Sequence, residues 1–371
     1  MTTTKNNEHK NIKVPTLRFK EFQGEWEKCK LSEICTFFSG GTPSSSNKDF
    51  YGGNIAFIRS GELHADSTEL FITQAGFDSS SAKMIEVGDL LLAMYGATSG
   101  DIAVSKIKGA INQAILCIRT KQNKKFIESV WNKHVSKNLR KYLQGGQGNL
   151  SADIVKGISF FFPTLKEQKK IANLVSLLDE RIATQNKIID KLQSLIKGIG
   201  KQLFMDNQNW RTVKIGELLR IGNGKDYKHL SIGKIPVYGT GGQMLLVNDY
   251  LYDGESVCIG RKGTIDTPMF LKGKFWTVDT LFYTYDFKDV LPKFCYYLFL
   301  QINWKLYNEG TGVPSLSKST IENIKVKIPS LEQQQKICSI LDCYEHKTDN
   351  EEQILELYHS EKQYLLRQMF I

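Results

Sequence analysis

The chain has 371 residues, enough for two or three domains, and its 41% hydrophobic and 24% charged content is that of an ordinary soluble protein. No run approaches the ~18 apolar residues of a membrane span, and the opening MTTTKNNEHKNIK lacks a signal-peptide core, so residues 1–20 read as a mobile arm on a cytoplasmic protein. Seven scattered cysteines without C-x-x-C and six histidines without H-E-x-x-H speak against a disulfide framework or a zinc site, while a net charge of +10 suits a polyanionic partner.

After Trp26 a short polar-apolar run leads to a Gly-rich turn, GGTPSSSNKDFYGG at 40–53. Short β-like runs come next: NIAFIRS, DLLLAMY, DIAVSKI and AILCIRT. A helix-like segment occupies 126–143, and GISFFFP supplies a last strand ending at Pro163. Residues 21–163 thus form a first globular unit of mixed element types. The stretch 164–205 then carries apolar residues at Ile171, Leu174, Leu178, Ile182, Ile188/Ile189, Leu192, Leu195/Ile196, Ile199 and Leu203, steps mainly of three and four that line one helical face. Thr164 with Glu167 fits a capping box at its start.

The second half has the same plan. Residues 206–329 form a globular unit, with Trp210, the turn GNGKDYKHLSIG, the runs KIPVYGT, ESVCIG, PMFLKG and LFYTYDF, a helix-like 292–307, and NIKVKIP ending at Pro329. Residues 330–371 make a second long helix, opened by Ser330 and Gln333, with Ile337, Leu341, Ile354 and Tyr358 on its stripe. A polar interval from Glu345 to Gln353 leaves its packing there open.

The two helical stretches align without a gap at an offset of 166, with identities Leu165/Leu331, Gln168/Gln334, Lys170/Lys336, Ile171/Ile337, Ile188/Ile354, Ser194/Ser360, Gln202/Gln368 and Phe204/Phe370. The repeat extends outward. Leu150-Ser151 matches Leu316-Ser317 at the same offset, and Trp26, Glu33 and Gly40 recur 184 residues on as Trp210, Glu217 and Gly224. The order is globular unit, helix, globular unit, helix. Each helix would be roughly 60 Å long at about 1.5 Å per residue, so its stripe needs another helix to lie against. Net charges of +4 over 151–205 and −4 over 331–371 favour pairing of the two copies with each other.

No P-loop, dinucleotide fingerprint, nucleophile elbow or Pro-Pro methyltransferase segment is present, so an active site is not expected. What remains suits DNA contact: hydroxyl, amide and cationic side chains in Gly-bounded loops. In the first unit these are Ser44, Ser45, Ser46, Asn47, Lys48 and Tyr51 in the first loop, Arg59 and Ser60 after a strand, Tyr95, Thr98 and Ser99 in a turn, and Gln144, Gln147 and Asn149 in GGQGNLS. In the second they are Lys225, Tyr227, Lys228 and His229, then Arg261, Lys262 and Thr264, then Thr311 and Ser315. Equivalent loops that stay polar but differ in sequence are what two readers of different targets need. A stand-alone methyltransferase or nuclease, and a helix-paired scaffold without a nucleic-acid role, stay open as other readings.

Two variable units, each ending in Pro and a long helix that begins PTLKEQKKIANLVSLLD or PSLEQQQKICSILD, resemble the specificity subunit of a type I restriction–modification enzyme. The tryptophans Trp26 and Trp210, the 40–53 loop and GDLLLAMYG carry the same resemblance, which spans essentially the whole chain. It implies an α+β fold: two similar target recognition domains separated by two long helices in an antiparallel coiled coil. It implies a non-catalytic subunit whose domains each read half of a bipartite double-stranded DNA target. The helix pair would set the spacer and dock two methyltransferase subunits, with Ile171, Leu174, Leu178, Ile188, Leu192, Ile337, Leu341, Ile354 and Tyr358 at the subunit interface. Motor-nuclease subunits would join for restriction. The chain itself would hold no cofactor or metal; its partners would use S-adenosylmethionine, and ATP with Mg.

Overall fold

The computed structural model describes residues 13–142, 149–205 and 209–371. The chain divides into two compact units, Met1–Gln185 with Ile354–Ile371, and Asn186–Gln353. In chain order the first contains β1 (Glu27–Lys30), α1 (Leu31–Ile34), β2 (Cys35–Ser39), β3 (Tyr51–Ile58), β4 (Phe71–Ile72), α2 (Gln74–Asp78), β5 (Lys83–Ile85), β6 (Leu90–Ala93), β7 (Ile102–Val104), β8 (Gly109–Ile111), β9 (Ile115–Thr120), α3 (Lys124–Tyr142), α4 (Ala152–Gly157) and β10 (Ser159–Phe162). A long helix, α5 (Leu165–Met205), comes next. One antiparallel sheet has the order β2-β9-β6-β7 and a second sheet the order β4-β3-β8-β5; β1 and β10 form a separate ribbon.

The second unit contains β11 (Arg211–Lys214), α6 (Ile215–Leu218), β12 (Arg220–Asn223), β13 (Ile232–Gly239), β14 (Gly242–Val247), β15 (Tyr252–Gly260), β16 (Met269–Thr277), β17 (Leu281–Tyr285), α7 (Pro292–Gln301), α8 (Lys318–Asn323) and β18 (Lys325–Ile328), before α9 (Leu331–Met369). Its main sheet is continuous, in the order β12-β17-β15-β16-β13-β14. The sheets differ most plainly where one strand is broken. In the first, Ser105 folds back on Ile107, its hydroxyl donating to the carbonyl (2.8 Å) and accepting the N–H (3.2 Å), which breaks one strand into β7 and β8 and splits the sheet in two. In the second, β16 runs unbroken: it pairs antiparallel with β15 and parallel with β13, as β7 does with β6 and β8 with β3.

Each residue of the sparse Trp, Glu, Gly repeat has a structural task. Trp26 sits 5.7 Å from Phe126, which lies 5.1 Å from Phe370. Trp210, Phe294 and Phe204 form the same trio, with separations of 5.3 to 6.1 Å. Glu33 and Glu217 accept the backbone N–H of Lys30 and Lys214, capping α1 and α6. Gly40 and Gly224 are needed for close approach: a Cβ there would fall 1.7 Å from the Ile111 carbonyl oxygen and 1.8 Å from that of Val278. In the later repeat, Leu150 and Leu316 are buried, while Ser151 and Ser317 accept the N–H groups of Ile154 and Thr320 to cap α4 and α8.

In the first unit the start of α5 and the end of α9 run antiparallel: Ile171 and Ala172 share a core with Met369 and Phe370, and Asp179 pairs with Lys362. In the second unit the end of α5 (Phe204) shares a core with the start of α9 (Ile337, Cys338, Leu341). The capping boxes are only half formed. Thr164 and Ser330 accept the N3 N–H groups at 3.5 and 3.4 Å, but the Glu167 carboxylate turns away to Arg18 instead of returning to the cap. A charged partner outcompetes a single backbone N–H. The polar interval in α9 does not interrupt the helix, and Thr348 within it is buried.

Candidate nucleic-acid interface

One edge of the first unit is set by the parallel pairing of β3 and β8, where Ile58 lies opposite Ile111. Both strands therefore deliver their next residues, Arg59-Ser60 and Asn112-Gln113-Ala114, to the same side. The turn at 112–114 is a junction. The Gly40 N–H donates to the Asn112 carbonyl at 3.2 Å and the Met94 N–H to the Ala114 carbonyl at 2.8 Å. The Thr42 hydroxyl donates to Gln113 Oε1 at 2.6 Å. The Leu150 N–H in turn donates to the Met94 carbonyl at 2.8 Å, bringing in the segment after Asn149. Segments from 40 to 150 in sequence thus meet around a turn that the sequence did not single out. Gln113 is exposed there, and its one hint was that INQAI matches TVDTL in the repeat.

The second unit builds the same edge from different side chains. The Gly224 N–H donates to the Leu281 carbonyl (3.2 Å), Lys225 to Thr277 (2.8 Å), and Arg261 to Thr280 (2.8 Å). The Leu316 N–H donates to the Arg261 carbonyl at 2.9 Å, and Lys262 bridges to Ser315. A cleft of about 640 Å³ gathers the predicted Arg261, Lys262 and Ser315 with Asn223, Thr280 and Lys318, which the sequence reading missed; Asp279 and Glu309 also line it. Arg261 donates to the Asp279 backbone carbonyl (3.5 Å) and lies 5.9 Å over the Phe282 ring. Among the described residues, no direct ion pair engages Lys48, Lys225, Lys228, Arg261 or Lys262, and all five side chains are exposed. Thr264 and Thr311 are exposed nearby in sequence to these groups.

Several predicted readers instead hold their own loops. The Tyr51 hydroxyl donates to the Pro43 carbonyl (2.8 Å), Asn47 Oδ1 accepts the Asp49 N–H (3.1 Å), and Ser44 and Ser46 bond each other (2.8 Å). Ser99 donates to the Met94 carbonyl at 3.0 Å, and Ser60 begins a single 3-10 turn. Arg59 forks onto Glu62; burial works against that carboxylate, yet the Arg59 hydrogen bonds win and hold it below the usual range. Tyr227 is half-buried beside the Val237–Trp276 core, and the His229 ring sits edge-on to Trp276 at 5.7 Å. That leaves Ser45, Lys48, Tyr95, Gln113 and Asn149 exposed, with Thr98 half-exposed, on the first unit. Gln144 and Gln147 lie outside the described residues.

Residues 23–194 and 207–357 each match the family model described as the type I restriction modification DNA specificity domain. The chain belongs to this family. The MjaVIII specificity subunit of a type I restriction enzyme from Methanocaldococcus jannaschii is 22% identical over 91% of this chain and 92% of its own length. The putative MjaX specificity subunit of the same organism is 25% identical over 90% and 91%. A crystal structure of the S subunit of a type I restriction-modification system from M. genitalium covers 96% of this chain and 99% of its own, with TM-score 0.65 at 17% identity. A chain from a study of type I R-M complex assembly gives a TM-score of 0.58 at 15% identity. At these identities the likeness is one of fold.

The tandem specificity domains spend much of the helical stripe on themselves. Ile171, Leu178, Leu192, Ile337 and Leu341, expected at a subunit interface, are buried within their own units, and Leu174 is half-buried. At the helix ends the reason is geometric: Ile171, Ile337 and Leu341 rest on the globular cores, which take up the apolar face there. Ile188, Ile354 and, in part, Tyr358 remain accessible. Two equivalent ion pairs tie globular helix to long helix, Lys125–Asp179 at 2.8 Å and Lys293–Glu345 at 2.7 Å. Lys293 also packs 4.7 Å over Phe270. Among the described residues no group of His, Cys, Asp or Glu is arranged to hold a metal, and no helix is long and apolar enough to cross a membrane.

Proposed function

We propose that this chain is the DNA-reading subunit of a type I restriction–modification complex, each specificity domain recognising one half of a split target. The observation that carries this reading is the repeated edge. A closely related backbone junction recurs in both units, its bonds displaced by one to three positions, while the side chains it presents differ: Gln113 against Asp279, Tyr95 against Arg261, Asn149 against Ser315. A shared frame with divergent polar tips suits two different sequences. Exposed cations beside these tips supply phosphate contacts, and amide and guanidinium groups supply base contacts.

In this reading the chain performs no chemistry. It positions methyltransferase subunits that use S-adenosylmethionine and act on adenines of the target, and motor-nuclease subunits that use ATP and Mg join them in the cytoplasm. The paired helices set the length of unread DNA between the half-sites. The relatives named above are specificity subunits, which supports the same assignment.

The test is genome-wide adenine methylation in cells carrying this chain with its methyltransferase subunit, against cells with that subunit alone. A bipartite motif that appears only with the chain supports the proposal, and replacing 206–329 changes one half of it. If an active methyltransferase subunit, shown to bind the chain, yields no new motif, the reading is wrong.

A further inference from the structure

The two units differ in how the groove beside their tryptophan is covered. In the first, residues 13–22 lie across the end of α9 and the start of α5. The Leu17 N–H donates to the Gln368 carbonyl at 2.9 Å and the Trp26 N–H to the Lys13 carbonyl at 2.9 Å. Arg18 forks onto the buried Glu167, with both contacts at 2.7 Å. Lys170 lies 4.6 Å over the Phe19 ring and pairs with Glu21. Under this strap Trp26 and Met369 are each 2% exposed.

At the 166-residue offset, Gln368, Glu167 and Lys170 correspond to Gln202, Gln333 and Lys336. Those three residues line an open groove of about 550 Å³ in the second unit, floored by Ile199, Leu203, Trp210, Ile337, Ile340 and Tyr344. Here Trp210 and Leu203 are only partly buried, and Ile340 is 42% exposed where its counterpart Leu174 is half-buried. The frame is the same, and no described segment of the second unit lies over it as the strap lies over the first.

We propose that this groove binds an extended segment of a partner polypeptide, laid down as residues 13–22 are laid in the first unit. The chemistry of the segment is set by the residues that are kept and those that are changed. Gln202 lines the groove at the position where Gln368 accepts the strap's backbone N–H. Lys336, paired with Glu332 one turn away at 2.7 Å in a surface-exposed contact, is placed to cover an aromatic ring and to exchange that surface partner for a carboxylate two residues later. The buried carboxylate that takes Arg18 is replaced by the neutral, exposed Gln333. The occupant therefore carries an aromatic residue with an acidic one two positions on, and a neutral residue where the strap has arginine. This chain's own arm is the worse fit, since its arginine would lose a charge-assisted fork. The inference does not depend on the DNA-reading proposal.

The probe is a fluorescent peptide of residues 13–22 carrying Arg18→Gln, with a photo-crosslinker replacing Phe19, titrated against the full-length chain. We expect saturable binding, at least about tenfold weaker to Ile340→Glu and weakened by Lys336→Ala, with crosslinks mapping to 199–210 and 333–344. The unaltered 13–22 peptide binds less tightly. Absence of binding, equal binding to wild type and Ile340→Glu, or crosslinks confined to the first unit would overturn the proposal. Equal or tighter binding of the unaltered peptide would overturn it too, by assigning the groove to a second copy of this chain. Because Ile340 is 42% exposed and outside the buried core, loss of binding in that variant is not loss of folding; an unchanged melting temperature checks it.

Discussion

Phe370, just past the end of α9, packs 5.1 Å from Phe126 in the core of the first unit, and Phe204 takes the same place 5.3 Å from Phe294 in the second. Each long helix begins at one globular unit and ends as part of the core of the other. Truncating either ring removes a buried aromatic and leaves a cavity, which costs ~3–5 kcal/mol. Phe370→Ala is expected to lower the stability of the first unit and Phe204→Ala that of the second, read by denaturant unfolding with local probes at Trp26 or Trp210. Equal small effects from both would show that the trios are not part of the cores.

Gln168 and Gln334 are buried amides with the same task. Each donates to the carbonyl of the preceding proline, Pro163 at 2.9 Å and Pro329 at 3.1 Å. Each accepts the N–H of a residue just ahead of α3 or α7, Asn123 at 3.0 Å and Leu291 at 2.9 Å. A leucine fills similar volume but orphans these backbone groups, at ~1–3 kcal/mol per group. Gln168→Leu is expected to destabilise by several times more than Lys169→Leu, its solvent-exposed neighbour; urea midpoints measure the difference.

Asp179 lies among Lys125 and Lys362, and although burial opposes its charge, hydrogen bonds from the two lysines hold its carboxyl below the ordinary aspartate value. A depressed folded value means that the stabilisation is fully present above the unfolded value of about 3.9 and is lost as pH falls through the folded one. Below about pH 4 the wild type should lose stability more steeply than Asp179→Asn. Parallel acid limbs would show that the triad contributes nothing.

Burial pushes the Cys117, Cys258 and Cys338 thiols up to about 12, and Cys29 and Cys35 are raised by the same cause. Cys343 is exposed. At pH 8 a disulfide reagent is expected to modify Cys343 fast, the half-exposed Cys29 more slowly, and the buried thiols only after unfolding. Mass spectrometry of the labelled protein checks this: one fast adduct in the wild type and none in Cys343→Ser is the expected pattern. A fast adduct that persists in Cys343→Ser would contradict it.

For DNA reading, Lys262→Ala and Arg261→Ala are expected to act differently in the assembled complex. Loss of a phosphate contact weakens binding to every sequence and lowers the salt slope by about 1, while loss of a base contact costs ~1–3 kcal/mol and relaxes one position of the motif. A seven-residue insertion in both helices, after Ile188 and after Ile354, preserves the stripe and adds about 10.5 Å. The spacer should then lengthen by roughly three base pairs at about 3.4 Å each. Unchanged spacing in an active complex would rule out the helices as the measuring element.

The duplicated plan was legible in the chain because helical periodicity, Pro before a hydroxyl cap and the recurring Trp, Glu and Gly are local signals. Backbone geometry demands them wherever the same turn is built. The strands of DLLLAMY and AILCIRT were legible for a similar reason: they are central and apolar on both faces. The short edge strands β4 and β5 carry no such pattern, and the broken sheet of the first unit turns on a single serine bonding back on Ile107.

The sequence by itself determined the repeat, the polar character of the loops and the lack of a recognisable catalytic motif. Only the tertiary structure decided which loop residues face outward and which brace their own turns, because that depends on backbone acceptors contributed from distant strands. It alone revealed the 112–114 and 278–280 turns as junctions, and it alone separated a groove that is strapped from one that is open. Those differences arise from where the chain returns upon itself, and neither composition nor periodicity records that.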